Sequence, residues 1–278
     1  MTRVLLLGVG GMLGGAVARV LEAEPGVDPV AADRERFDAR VGDPHALLEE
    51  VGPDWIVNAI GVTKPHIDAA SADSVAAALD VNARFPFALA EAARLSGAQV
   101  IQIATDGVFS GESGRYREDA PHDALDVYGK SKSLGEVPAA NVLNLRCSII
   151  GAGSLVGWLL THPVGARVPG YSDHVWNGVT TWHFGRLCAG IVSERPDLPS
   201  PLHVVPADTV TKAELLELIA RAFGRDDLTI EPQASPAAVD RSLATLHPEA
   251  NAALWRAAGY ETPPTIATMV DELSRQMI

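Results

Sequence analysis

The sequence predicts an α/β fold built on a doubly wound parallel sheet, with a smaller C-terminal lobe. Three observations carry that prediction. Apolar strand-like runs alternate with Ala-rich helical stretches through the first half of the chain, the pattern of crossover units in a parallel sheet. A glycine-rich turn stands at the first strand–helix junction. After Gly151 the alternation gives way to a stretch rich in loop residues.

Residues 3–7 (Arg3, Val4 and three leucines) read as a buried strand. Residues 14–23 read as a helix with Ala16, Val17, Val20 and Leu21 on one face. Residues 27–32 form a second strand, weakened by Pro29. Helix is expected at 44–51, strand at 55–60, one or two helices over 73–94, and strand at 100–104. Residues 131–136 continue a helix, and residues 142–145 close the series as a strand. Beyond Gly151, residues 154–160 read as a short helix and 163–178 as a loop. Residues 202–205 form a strand expected to rejoin the first sheet. Thr211, with Glu214 three residues later, opens a helix by a capping box; Leu215, Leu218, Ile219 and Ala222 face inward and Gly224 stops it. A strand at 228–230 and a helix at 265–277 complete the reading. The expected division is a dinucleotide-binding domain of Rossmann type over 1–151 and a mostly substrate-binding lobe over 152–278.

Bulk properties exclude several function classes. Of 278 residues, 47% are hydrophobic, enough for a sizeable core. A net charge of −13 argues against nucleic acid or an anionic membrane as partner. No apolar run approaches the roughly 18 residues of a membrane span. Glycines follow the first apolar run at once, unlike a signal peptide. Cys147 and Cys188 give neither a disulfide framework nor a metal spacing, and the eight histidines lack short ligand spacing. A cytoplasmic protein without metal is expected; a homodimer is compatible with all of this.

Gly8, Gly11 and Gly14 form GxxGxxG around Met12 and Leu13; the GxGxxG frame from Gly8 fails at Leu13. A tight strand-to-helix turn lets backbone approach a pyrophosphate and aims helix N–H groups at it. Alone the motif is weak, but at the first strand–helix junction it points to a dinucleotide. Asp33, at the end of the second strand, suits the adenosine ribose. Arg34 and Arg36 beside it suit a 2′-phosphate, which tilts the expectation to NADP, with NAD open. The competing reading is a solvated charged turn. Asp43 is a weaker candidate, as acceptor for the adenine amino group.

Tyr128-Gly129-Lys130-Ser131-Lys132 is a YxxxK. Residues four apart share a helix face, so the Lys132 ammonium is expected near the Tyr128 hydroxyl, lowering the phenol pKa from its usual value of about 10. Such a tyrosine is a general acid for a carbonyl. Thr105 ends a predicted strand, where doubly wound sheets place ligands, and is positioned to donate to the substrate oxygen. An exposed Tyr beside a surface Lys, and a structural strand-end Thr, are the plainer readings; the order of the three motifs favours catalysis.

The chain resembles the dTDP-4-dehydrorhamnose reductase-like branch of the extended short-chain dehydrogenases/reductases. The likeness rests on the glycine loop, Pro53-Asp54-Trp55-Ile56-Val57-Asn58-Ala59, Thr105-Asp106-Gly107-Val108-Phe109-Ser110-Gly111, Tyr116-x-Glu118 and Val127 through Lys132. It continues more weakly through Asn177-Gly178-Val179-Thr180-Thr181, Leu202-His203-Val204-Val205-Pro206 and Asp240-Arg241-Ser242-Leu243. The resemblance implies reduction of a nucleotide-linked 4-keto-deoxy sugar by NAD(P)H, with Tyr128 as proton donor, Thr105 polarising the carbonyl, and Lys132 binding the nicotinamide ribose. It further implies that Asn58, Ala59, Ile60 and Gly61 line the cofactor's middle and that Asn82 starts a helix beneath the site. Asp106, Gly107, Trp176, Asn177 and Thr180 would face the sugar nucleotide. Composition adds to the expectation for Trp176 and Asn177, which sit with Tyr171 in a Gly/Pro-rich stretch suited to a nucleobase and sugar; packing between lobes is the other reading of Trp176.

Two departures fall near the expected sugar pocket. Gly107 replaces the family's usual Tyr, and no Trp follows Arg146, where Cys147, Ser148 and Ile149 stand. Two other activities stay open. The regulatory subunit of methionine adenosyltransferase is similar to the same family and acts without reduction. A sugar-nucleotide epimerase or dehydratase is the third reading, disfavoured by the Thr105-Asp106-Gly107 sequence.

Overall fold

A computed structural model describes residues 1–277. Its first half follows the predicted alternation: β1 (Thr2–Leu7), α1 (Met12–Glu22), β2 (Val27–Ala32), α2 (Pro44–Val51), β3 (Trp55–Asn58), α3 (Ala72–Leu79), α4 (Phe85–Ser96), β4 (Gln99–Thr105), α5 (Val127–Leu134) and β5 (Val142–Cys147). The second half continues with β6 (Ile149–Ile150), α6 (Leu155–Leu160), β7 (Arg167–Tyr171), β8 (His174–Trp176), β9 (Val179–Thr180) and α7 (Thr181–Glu194). It ends with β10 (Leu202–His203), β11 (Val210–Thr211), α8 (Lys212–Ala222), β12 (Thr229–Gln233), β13 (Val239–Asp240), α9 (Pro248–Ala257) and α10 (Ile266–Met277).

The six-stranded parallel sheet has the order β10-β5-β4-β3-β1-β2. Alternate residues of β1 feed its two faces. Val4 and Leu6 join the core beneath α1 and α7, while Leu5 and Leu7 join the core beneath α2 and α4. Pro29 is tolerated because β2 is the edge strand, where a missing N–H costs no inner ladder bond. Strand β10 rejoins the sheet as expected, Leu202 and His203 pairing with Leu145 and Arg146. Strand β3 ends two residues early because the Asn58 carboxamide oxygen accepts the Ile60 N–H and turns the chain.

Two helices escaped the sequence reading. α7 buries nearly every side chain, so its apolar residues show no single stripe. Its glycines explain why: a Cβ at Gly185 would meet Val20 of α1 at 2.7 Å, and one at Gly190 would meet the Ala257 backbone of α9 at 2.4 Å. α9 has only Asn251, Leu254 and Trp255 buried, too short a stripe to stand out. The stretch read as loop, 163–178, instead holds β7 and β8, which pair with β12 and with β11 and β13 in two small sheets. Alternation there is interrupted by Pro169 and Gly170, which hid the strands. Among the described residues, no helix is long and apolar enough to cross a membrane.

Candidate active site

Strands β1, β3, β4 and β5 all end on one edge of the sheet, and the residues just past them build the site. At the end of β1, Gly8 has a φ of +84°, which favours glycine, and a Cβ there would stand 2.9 Å from the Ala59 backbone. A Cβ at Gly14 would stand 2.2 Å from the Gly8 carbonyl oxygen, so only glycine lets α1 start this close to the turn. Beside Gly10, by contrast, there is open space.

That space belongs to a cavity of about 520 Å³, whose wall includes Gly8, Gly11, Asp33, Arg34, Asp38 and Arg40. A neighbouring cavity of about 350 Å³ holds Met12, Leu13, Thr105, Asp106, Tyr128 and Lys132. Gly11, Ala59, Ile60, Gly61 and Val62 line both. The pair forms a trough from an acidic and basic rim, past helix N–H groups, to the tyrosine. A dinucleotide fits these residues: the glycines admit a pyrophosphate, Asp33 presents a carboxylate for a ribose, and Arg34 and Arg40 present cations for a phosphate. The sequence reading missed Asp38 and Arg40, although the charge-rich run from Asp33 to Arg40 was a visible signal.

Helix α5, which carries Tyr128 and Lys132, is fixed at both ends. Asp126 caps α5 by accepting the Gly129 N–H at 2.9 Å, and its other oxygen pairs with Lys64 at 2.9 Å. A single π-helical turn over Asp80–Arg84 brings Asn82 inward. The Asn82 amide donates to Val62 O and Ser131 Oγ and accepts the Val62 N–H, tying the loop after β3 to α5. α5 lies so close that a Cβ at Gly135 would overlap the Asn82 carbonyl oxygen.

Lys132 is 8% exposed and donates to the Ile103 carbonyl at 2.7 Å. Burial pulls its pKa down to about 8, opposed by Glu136. The expected lowering of the Tyr128 phenol by Lys132 is not what the structure has. Burial pushes that phenol up, the Thr105 hydroxyl opposes this, and the Asp106 and Asp126 carboxylates add to it. The free phenol therefore stays protonated, the state a proton donor requires. Thr105 accepts the Gly107 N–H at 3.0 Å and donates to Asp106 at 3.3 Å. Burial also raises the Asp106 carboxyl, with Arg241 opposing. Gly107 packs tightly here, since a Cβ would stand 3.0 Å from Tyr128 Cε1 and 3.3 Å from Thr105 Oγ1, and it lies outside both cavities.

Other expected site residues lie elsewhere. Asn58 is fully buried in the sheet, where it donates to Gln102 at 2.8 Å and shapes the loop behind the cavity rather than lining it. Asp43 is the N-cap of α2, accepting the His45 N–H, outside both cavities. Arg36 turns back to Glu50 at 2.7 Å, away from the cavity that Arg34 and Arg40 line. Asn177 uses its amide on the Leu243 backbone, donating at 2.7 Å and accepting at 2.9 Å. Thr180, with no exposure, caps α7 and bonds His183 Nδ1 at 2.7 Å. Neither has a free polar atom for a sugar. Trp176 lies outside both cavities, on β8 against the large core, with its ring edge over Gly178. Trp176→Ala is therefore expected to cost about 3 kcal/mol of stability in urea titration and leave KM for substrate unchanged. A raised KM at full stability would return the residue to the site.

Comparison with known proteins places this geometry in context. Residues 1–160 match the family model described as RmlD substrate binding domain. A dTDP-4-dehydrorhamnose reductase of Aggregatibacter actinomycetemcomitans is 36% identical over 138 residues, 49% of this chain and 46% of that protein. Matches of this kind thus span about half the length of the curated relatives concerned. One of the same description from Streptomyces griseus is 30% identical over 273 residues, 93% of this chain and 88% of that one. In fold, the chain is similar to dTDP-4-dehydrorhamnose reductase of Bacillus anthracis, solved in complex with NADP, with TM-score 0.82 and 19% identity over 99% of this chain and 100% of that chain.

Proposed function

The chain belongs to the RmlD substrate binding domain family, and on that premise we propose that it reduces the keto group of a nucleotide-linked 4-keto-deoxy sugar. One observation carries the reading: Thr105, Tyr128 and Lys132 line a single cavity that shares its wall with the glycine-loop trough. NADPH, when bound in that trough, supplies the hydride to the carbonyl carbon. Tyr128 gives its phenolic proton to the carbonyl oxygen, so the ketone becomes an alcohol. The Thr105 hydroxyl turns from Asp106 to the same oxygen and stabilises the charge that develops there. Lys132, which lines the same cavity, holds the nicotinamide ribose. Asp106, which lines the cavity, faces the sugar. The relative from Streptomyces griseus bears the name of such a reductase, and the retained catalytic trio favours an enzyme over a regulatory subunit. Two free, buried cysteines suit the reducing cytoplasm in which we place the reaction.

NADPH oxidation followed at saturating dTDP-4-dehydrorhamnose, or a related 4-keto nucleotide sugar, tests the reading. Turnover is expected; no oxidation above background with any such sugar contradicts it. Cofactor choice is a second expected result. Arg34 is exposed and, among the described residues, engaged only with Asp38, so it is available to a 2′-phosphate. Arg34→Ala should weaken NADPH binding about tenfold and leave NADH unchanged, read by fluorescence titration. A preference for NADH that ignores the substitution would assign the choice to Asp33.

A further inference from the structure

We infer that Lys64 is a positioning residue: its ion pair with Asp126 straps the mouth of the catalytic cavity and slows the escape of the bound cofactor. The inference rests on the cofactor placement proposed above and adds a residue outside the catalytic trio. On one side the cavity is walled by Gly61, Val62 and Thr63, from the loop after β3, and on another by Tyr128 and Lys132, from α5. These walls are joined twice. The inner join is neutral and buried. Asn82, 2% exposed, holds both the N–H and the carbonyl of Val62 and donates to Ser131 Oγ, which in turn donates to the Tyr128 carbonyl at 2.9 Å. The outer join is ionic and open to solvent: Lys64 Nζ donates to Asp126 Oδ2 at 2.9 Å, with side-chain exposures of 64% and 36%.

The anchor points follow the same order on both walls. Along the loop, Thr63 lines the cavity between Val62, tied on the buried side, and Lys64, tied on the exposed side. From the cap of α5 inward, Tyr128 stands between Asp126 and Ser131. Both ends of the outer join are stiff. Lys64 opens a single 3₁₀ turn with Pro65 and His66, closed by the His66 N–H on the Thr63 carbonyl at 2.9 Å and by Thr63 Oγ1 against His66 Nδ1 at 3.0 Å. Asp126 gives its other oxygen to the Gly129 N–H at 2.9 Å, so one carboxylate serves the helix and the strap together. Among the described residues, the Lys64 ammonium has no other side-chain hydrogen bond or ion pair. An exposed pair of this kind contributes little to folding, so the fold stands without it. Its effect falls on motion. The two walls part most readily at the ionic join, because water and salt compete for it, and a nicotinamide held between them is released as they part.

Stopped-flow release of NADPH, followed by its fluorescence with no sugar present, tests the strap. Lys64→Met should speed release about three- to fivefold at low salt and reduce its dependence on salt. Asp126→Asn keeps a side chain that caps a helix as well as aspartate does and removes only the charge. It should speed release by a similar factor, and the double variant should release no faster than either single one. Lys64→Arg should retain the wild-type rate and salt dependence. Simple attraction between the protein's charges and an anionic cofactor predicts the opposite sign for Asp126→Asn, because removing a carboxylate would then slow release. An unchanged rate in Lys64→Met, or opposite effects of the two substitutions, would overturn the strap. Should Asp126→Asn fail to fold, the salt dependence of Lys64→Met against that of Lys64→Arg decides alone. Because no sugar is used, the strap can fail while reduction stands. Wild-type protein that binds no NADPH would overturn the cofactor placement and the strap together.

Discussion

Tyr128→Phe is expected to lower turnover about 10²–10⁴-fold while cofactor binding is retained. The substitution removes one oxygen and keeps the ring that packs on Gly107. What is lost is the proton that must reach the substrate oxygen as hydride arrives. The direction of the phenol's shift matters here: burial and two carboxylates push it up, so the acid is present across the neutral range. The pH limit should come from Lys132 instead. With its pKa pulled to about 8, the lysine is an ammonium below that pH and loses its charge above it. Turnover of the wild type should fall as pH rises through about 8, because the ammonium that holds the nicotinamide ribose loses its charge there. Single-turnover hydride transfer at an unchanged rate in Tyr128→Phe would remove the tyrosine from catalysis.

Glu136→Ala should destabilise the fold by about 3–5 kcal/mol. Glu136 and Arg146 form a two-pronged pair at 2.6 and 2.7 Å, with the Arg146 side chain only 4% exposed. Arg146 also donates to the Glu118 carbonyl and lies 3.0 Å from His203 Nε2. His203 Nδ1 bonds the Ala244 carbonyl at 2.8 Å, so the ring carries its proton there and accepts from Arg146. Burial pushes the His203 pKa down, which keeps that neutral form. Removing Glu136 strands a guanidinium in the interior and loosens the joint between β5, β10 and the chain around Glu118. The exposed pair Arg3–Asp28 gives the contrast, because its loss should cost about 0–1 kcal/mol. Urea titration of both variants measures the difference; equal small losses would contradict the account of the buried pair.

Sequence alone carried the sheet, because strands buried on both faces leave unbroken apolar runs between glycine and proline punctuation. It also carried the tight turn at Gly8–Gly14 and the placement of Tyr128 and Lys132 on one helix beside one cavity, because both depend on local spacing. It failed where function or structure depends on contacts distant in the chain. Asn177 and Thr180 lie in a stretch that resembles a ligand loop, yet their polar atoms are taken up by Leu243 and His183. Asn58 and Asp43 are the right residue types in nearly the right places, but one is sealed in the sheet and the other caps a helix. Tyr128 and Lys132 line one cavity, as their spacing suggested, but spacing could not show the Ile103 carbonyl that accepts the Lys132 N–H, nor the carboxylates that raise the phenol. α7 was invisible because a helix buried all round has no polar face to mark its period.

Transfer of label from cofactor to sugar tests the central claim most directly. NADPH doubly deuterated at C4 of its nicotinamide ring would be incubated with the protein and a 4-keto nucleotide sugar, and the product analysed by mass spectrometry and NMR. The account predicts one deuterium, bound to carbon 4 of the sugar, and none there when unlabelled NADPH is used in D₂O. A product without cofactor deuterium, or with solvent deuterium bound at a ring carbon in its place, would contradict reduction at this site.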